Sequence, residues 1–470
     1  MPRIWAKHSG CDAGRPRPPW RYRYRVRVAS DPLVPKILLR LRESDPAAAQ
    51  RVQRALDDLL DERGLADLTQ HNLQTYLWFT LPDLDEPIRT AGSLATFFEL
   101  AELNRYAAIA GSVQTREILR TYAERGENPG AKAGSKAMDA SGILPPDLPE
   151  LEWGELMGAA ELDAYERVAA TLELALAAGE LRPGGRGWRM TQQRLARQQL
   201  TMAQPDGPPL LDRIQSERLD SWVETGGHGR RGLASSVLPD LMTEPAPPRD
   251  VAERLAPMQW LLELAMGRNG DPPGIPLTVT GNLARRVVQE AAERFNWWDL
   301  PDRAPRSEAD IWHLAELRQL LQRAGALRRS GRRLVLGTRG RALINDAGAQ
   351  WTLAMTRLID VVEFDAAVQE AALMLLLQAD GMVEMRDLVR EVADVLTSSG
   401  WRDTGNGAPP DDRDVSRAVW GLVRRLQLWS MVDEGRGPGF ITRFRLSTVG
   451  RRGGYVALRS LALRPRMDTD

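Results

Sequence analysis

The sequence predicts a mainly α fold with small β-hairpin wings, divided among several domains. Three observations predict it. The chain has 470 residues, 43% of them hydrophobic and 27% charged. That is the balance of an ordinary globular protein, with length for roughly two to four domains that each bury a core. Apolar residues recur at helical spacing along most of the chain. A helix followed by a hairpin also returns at separate places in the C-terminal two-thirds.

Composition excludes several classes of function. Basic and acidic side chains number 63 each, so the formal net charge is zero. A uniformly basic nucleic-acid coat and an acidic solvating tail are thereby excluded. Cys11 is the one cysteine, which rules out a disulfide framework and a cysteine-based zinc module. The longest apolar run, Ala371–Leu377, is too short to span a bilayer. No secretory apolar segment follows the start, so the expected compartment is the cytoplasm and no membrane partner is expected. Lysine occurs only at Lys7, Lys36, Lys132 and Lys136, so nearly all the basic residues are arginine. So lopsided a ratio reads as codon bias, and where the arginines cluster matters more than their number. Residues 1–30 carry a net +7 and residues 415–466 a net +9, while residues 31–414 sum to −14. Neutrality here is two basic ends on an acidic middle.

Along the chain, residues 1–30 stand apart. Trp20, Tyr22, Tyr24, Val26 and Val28 alternate with Arg21, Arg23, Arg25 and Arg27, the period of a strand. This segment is either a basic arm that stacks on bases and pairs with phosphates, or an edge strand or unanchored extension. From residue 31 to 123 the pattern is helical. Asp45-Pro46 supplies a cap followed by proline at the first helical position, ahead of Val52, Leu56, Leu59 and Leu60. Thr69 caps a second helix with Leu73, Leu77 and Trp78, and further helices are expected over Ser93–Leu103 and Val113–Arg125. Between 124 and 150 the composition turns to Gly, Pro, Ser and Ala, which reads as a linker.

Beyond it, a pattern repeats. Leu172–Arg182 leads into Pro183–Thr191, and Leu317–Arg328 leads into Arg329–Gly337. Both run Ala-Gly-x-Leu-Arg, then a turn with Gly-Arg, then an apolar strand ending eleven residues after the first glycine. A third, looser copy runs Leu422–Val432, a longer turn, then Phe440–Gly450. Ile311, Leu314, Leu317, Leu321 and Ala324 form one helical stripe, and Val415, Val419, Leu422, Leu426 and Trp429 another. Glycines between short strands supply the hairpin turns.

A helix, then Gly-x-Leu, then a hairpin closing on Leu-Thr-x-x-Gly resembles the end of a winged helix-turn-helix domain. Leu336-Gly337-Thr338-Arg339-Gly340 and Leu446-Ser447-Thr448-Val449-Gly450 carry the resemblance, whereas Met190–Arg194 lacks the final glycine. It implies winged-helix-like domains over 246–347 and 348–470, with a degenerate unit in the helical region 151–245. These follow the basic segment 1–30, the helical domain 31–123 and the linker 124–150. In winged-helix regulators the helix before the wing enters the major groove and the wing touches backbone. Carried over by position, this implies nucleic-acid contacts from Arg413, Ser416, Arg417, Arg424 and Arg425 on the helix. Arg436, Arg443 and Arg445 would contribute from the last wing, and Arg332 and Arg333 from the preceding one. The expected function is that of a DNA-binding regulator or DNA-organising factor with double-stranded DNA as partner. The alternative is a protein–protein scaffold built from the same domains. Asp411, Asp412 and Asp414 lead one candidate helix, where they read plainly as capping, and Glu308, Asp310 and Glu316 lie on the other; acid-led helices with basic wings suit protein contact or wing-led backbone contact better than base readout.

No catalytic motif is found, and neither enzyme activity nor a cofactor is expected. Asp310, His313 and Glu316 lie three apart, as metal ligands do, but read better as a solvated face. The Gly226–Gly232 stretch, Gly-Gly-His-Gly-Arg-Arg-Gly, lacks the Gly-Lys-Ser/Thr of a phosphate loop and reads as a surface loop. Phe295, Trp297 and Trp298 read as core packing.

Overall fold

The structure, a computed structural model, describes residues 5–7, 33–60, 64–205, 207–267, 272–298, 300, 303–360, 362–436 and 442–466. The expected strand over Trp20–Val28 lies outside these residues. The described chain is mainly helical, with three small antiparallel sheets. It divides into two compact units, one of residues 15–217 with 465–470 and one of residues 218–464 with 1–14.

In the first unit the capping residues behave as their chemistry dictates. Asp45 accepts a hydrogen bond from the Ala48 N–H at 2.9 Å ahead of the helix Pro46–Leu60, and Thr69 accepts from the Asn72 N–H at 3.2 Å ahead of Gln70–Thr75. Both satisfy amide donors that an unfinished first turn leaves orphaned. Trp78 is buried with its indole N–H on the Thr115 hydroxyl at 3.0 Å.

Two expectations in this unit are corrected. The stretch expected to be a linker contains the helix Glu127–Ser141, whose buried face is Gly130, Gly134, Ala137 and Met138. Small residues at helical spacing let this helix pack closely, and the same composition imitates a flexible connector. The hairpin expected after Gly187 is instead the helix Trp188–Thr201. Its residues are mostly straight-chain helix formers, and Gln192, Leu195, Ala196 and Leu200 bury one helical face.

The second unit contains one arrangement twice. In the first copy, α1 (Ala256–Met266) leads to β1 (Ile275–Pro276), α2 (Arg285–Phe295), α3 (Trp312–Arg323), β2 (Leu327–Ser330) and β3 (Arg333–Leu336). Two short helices, α4 (Thr338–Leu343) and α5 (Ala347–Thr356), follow. In the second copy, α6 (Glu363–Gln378) leads to β4 (Val383–Glu384), α7 (Met385–Ser398), α8 (Asp412–Leu428), β5 (Val432–Arg436) and β6 (Thr442–Leu446), closed by α9 (Thr448–Ala462). In both sheets the short first strand pairs with the second hairpin strand, giving the orders β1-β3-β2 and β4-β6-β5. All five residues of each predicted stripe, from Ile311 to Ala324 and from Val415 to Trp429, are buried. All of them but Ala324 belong to one continuous core that spans both copies and includes Trp260, Trp351, Trp429 and Phe444. A strand that the sequence did not suggest, Trp5–Lys7, pairs antiparallel with Trp401–Asp403.

The Leu-x-Thr-x-Gly ending has a shared physical cause. The Gly337 N–H donates to the Ala326 carbonyl at 2.8 Å, and the Ser447 N–H donates to the Met431 carbonyl at 2.9 Å. Three residues on, Gly340 and Gly450 lie against those same carbonyl oxygens, where an added Cβ would clash. The backbone of the closing helix therefore rests on the root of its hairpin, and only glycine permits the approach.

Gly450→Ala is expected to destabilise the protein by about 1–3 kcal/mol, the usual range for overpacking. The measurement is a lowered urea midpoint at unchanged m. Gly232→Ala, in an exposed helical position with open space around it, should raise the midpoint instead.

Candidate nucleic-acid interface

The residues expected to contact a duplex fall into three physical situations. On α8, Arg413 and Arg424 are exposed and Ser416 is half-buried. Arg413 and Arg424 make no ion pair among the described residues. Arg417 is also exposed, but its fork is closed by Asp365, with both N–O distances 3.0 Å. That pairing, with its hydrogen bond to Asp365, holds the guanidinium above its ordinary range.

Arg425 points the other way. It is buried, donating from Nε to the Leu358 carbonyl at 2.8 Å and from Nη2 to Gln369 Oε1 at 2.7 Å. Asp360 and Glu316 lie 3.5 and 3.8 Å from Nη1. Burial pushes its pKa down, against the pull of the two carboxylates. The expectation that Arg425 contacts nucleic acid is thus corrected. It follows Arg424 on the helix, and the 100° step that exposes one turns the next into the core. Through Arg425 and Glu316, α8 of the second copy packs on α3 of the first, so part of each candidate recognition helix faces the other.

The second copy's hairpin has its described arginines neutralised across its strands. Glu384 pairs in register with Arg443, and Asp433 with Arg445. Arg443 hydrogen-bonds Glu384 through Nε at 3.2 Å and also through Nη2, while Arg445 reaches Asp433 at 2.8 Å. Opposed unlike charges at paired positions stabilise a sheet and cancel its field. The Arg436 side chain lies outside the described residues.

The first copy's hairpin is the opposite case. From Leu317 to Asn345 the chain carries eight arginines and no acidic residue. The register places Val335 opposite Arg328 and Leu334 opposite Arg329, and no carboxylate lies across from any hairpin arginine. Arg328, Arg329 and Arg332 are exposed, and none has an acidic partner among the described residues. Arg333 differs, donating to the carbonyls of Pro272 and Pro273 at 2.8 and 2.9 Å, and so ties down its own loop. Arg328 and Arg329 were not among the expected site residues; the unbroken run of uncompensated charge was the signal for them.

The other candidate sites resolve into structural roles. Asp310 accepts hydrogen bonds from the N–H groups of Arg306 and Ser307 at 2.8 and 2.9 Å as a cap. His313 stacks between Trp297, at 5.1 Å, and Trp312, at 3.6 Å. The Gly226–Gly232 stretch is corrected from surface loop to the start of the helix His228–Leu241. Arg230 within it is half-buried against Glu370, with N–O distances of 3.1 and 2.8 Å, and over the Trp222 ring at 4.9 Å.

Residues 254–349, nearly coincident with the first copy and its closing helices, match the family described as the Y4jL N-terminal domain. No curated protein and no solved structure matches the chain. No helix among the described residues is long and apolar enough to cross a membrane.

The hydrogen bond from Arg443 holds the Glu384 carboxyl below its ordinary pKa. A depressed carboxylate stabilises the fold at pH above its unfolded value and loses that contribution as the pH falls through its folded one. A carboxyl 13C NMR titration should place Glu384 below the usual glutamate range, and Arg443→Ala should raise it towards that range, with Arg386 still holding it down in part.

Proposed function

We propose that the two copies are winged-helix domains and that the chain binds the phosphate backbone of double-stranded DNA through the first one's hairpin. Support for the winged-helix reading comes from the element order, helix–strand–helix–helix–hairpin, with the first strand pairing onto the second hairpin strand. One observation carries the binding proposal: Arg328, Arg329 and Arg332 project from a hairpin that offers them no carboxylate, while the corresponding arginines of the other hairpin are paired. Unpaired guanidinium forks are free to exchange counterions with phosphates. Because α3 and α8 partly cover each other, the packing favours sequence-tolerant backbone contact over readout of base edges. The function is then that of a DNA-organising factor rather than an operator-specific regulator. The paired wing of the second copy suits protein contact, and it marks the alternative should DNA binding fail.

Fluorescence anisotropy of the full chain with a mixed-sequence duplex, at several salt concentrations, tests the proposal. Replacing Arg328, Arg329 and Arg332 together by alanine should reduce the slope of log affinity against log salt by about 2.7, at roughly 0.9 per phosphate contact. Replacing Arg443 and Arg445, which are held by their own carboxylates, should change it far less. No binding by the parent protein at about 50 mM salt, or an unchanged slope in the triple variant, overturns the reading.

A further inference from the structure

A second cationic site, separate from the hairpin, lies where α5 and α9 end. Thr356 is the last residue of α5 and Arg357 follows it; Ser460 is in the last turn of α9 and Arg464 lies just past its end. These four residues line a cleft of about 340 Å³. Both arginines are half-buried, and neither has a carboxylate within ion-pair distance among the described residues. Among the other half-buried guanidinium groups of this unit, Arg230 is matched by Glu370, Arg318 by Glu308 and Arg443 by Glu384, while Arg333 and Arg402 donate to backbone carbonyls.

The cleft instead sets two like charges near one another. Burial and the nearby Arg357 both push the Arg464 guanidinium below its ordinary pKa. Glu370 acts on Arg464 from a distance, but its own oxygens are already occupied. Oε1 accepts from the Trp222 indole at 2.6 Å and from Arg230 at 2.8 Å, and Oε2 accepts from Arg230 at 3.1 Å. A charge pair left uncompensated in a partly desolvated cleft is stabilised by an anion that bridges it.

We infer that the cleft between the ends of α5 and α9 binds a tetrahedral oxyanion of the phosphate class, held by the forks of Arg357 and Arg464 and the Ser460 hydroxyl. Two planar forks match such an anion's oxygens in bidentate fashion. No aromatic side chain lines the cleft, so it offers no platform for stacking a base. The recognised group is a phosphoryl oxyanion, free or carried as the end of a phosphomonoester.

Isothermal titration of the full chain with inorganic phosphate, against chloride at equal ionic strength, tests this. Saturable binding of one phosphate per chain is expected, weakened roughly tenfold or more in the Arg357→Gln/Arg464→Gln double variant, as expected for lost charge-assisted hydrogen bonds. Arg464→Lys, which keeps the charge and loses the fork, should weaken binding by a smaller factor and serves if the double variant does not fold. The Arg328/Arg329/Arg332 triple alanine variant should bind phosphate as the parent does, which separates this site from the hairpin. Ribose 5-phosphate in a second arm distinguishes the sources: equal or weaker binding assigns a free anion, tighter binding a phosphomonoester. Absence of saturable binding by the parent, or undiminished affinity in Arg464→Lys and the double variant, overturns the inference.

Discussion

The buried guanidinium of Arg425 is the constraint on which the arrangement of the second unit depends. A charge removed from water carries a desolvation cost of several kcal/mol unless hydrogen bonds and counter-charges replace its hydration. Here the replacements come from three separate stretches of chain: the Leu358 carbonyl with Asp360, the Gln369 amide, and Glu316. Gln369 is itself fixed, since its Oε1 also accepts from the Asp360 N–H at 2.7 Å and its Nε2 donates to the Ala418 carbonyl at 3.2 Å. The segment between the two copies cannot move without breaking this set, and so the copies share a core instead of hanging as beads on a linker.

That constraint also explains what was legible in the sequence and what was not. The stripes from Ile311 to Ala324 and from Val415 to Trp429 were readable because burial on one helical face leaves a 3.6-residue signature. The repeat was readable because each closing glycine answers a backbone carbonyl, a requirement that few other residues meet. By contrast, Ile275–Pro276 and Val383–Glu384 are too short to show any period, though each completes a sheet. The Glu127–Ser141 helix was hidden because Gly and Ala serve close packing and flexible linkers equally well. Neither the burial of Arg425 nor the pairing of Arg417 was visible, because Leu358, Gln369 and Asp365 lie more than fifty residues away along the chain.

The same reasoning changes the meaning of the basic C-terminus. Counted along the sequence, residues 415–466 are the strongest positive stretch. Counted in space, much of that charge is answered locally, by Asp365, Glu384 and Asp433. The smaller excess on the first hairpin goes unanswered. Field strength at a surface follows the residual charge rather than the tally, and among the described hairpin side chains that residual lies on Arg328, Arg329 and Arg332.

The clasp between hairpin root and closing helix has one more consequence. It fixes each hairpin where it leaves the core, at Ala326 with Gly337 and at Met431 with Ser447, and it makes no demand on the residues between. The second hairpin is accordingly the longer, yet its root is built like the first. Insertion, deletion and recharging at the tip are thereby uncoupled from folding, and a lineage carrying this domain twice is free to let one tip diverge while the other keeps its work.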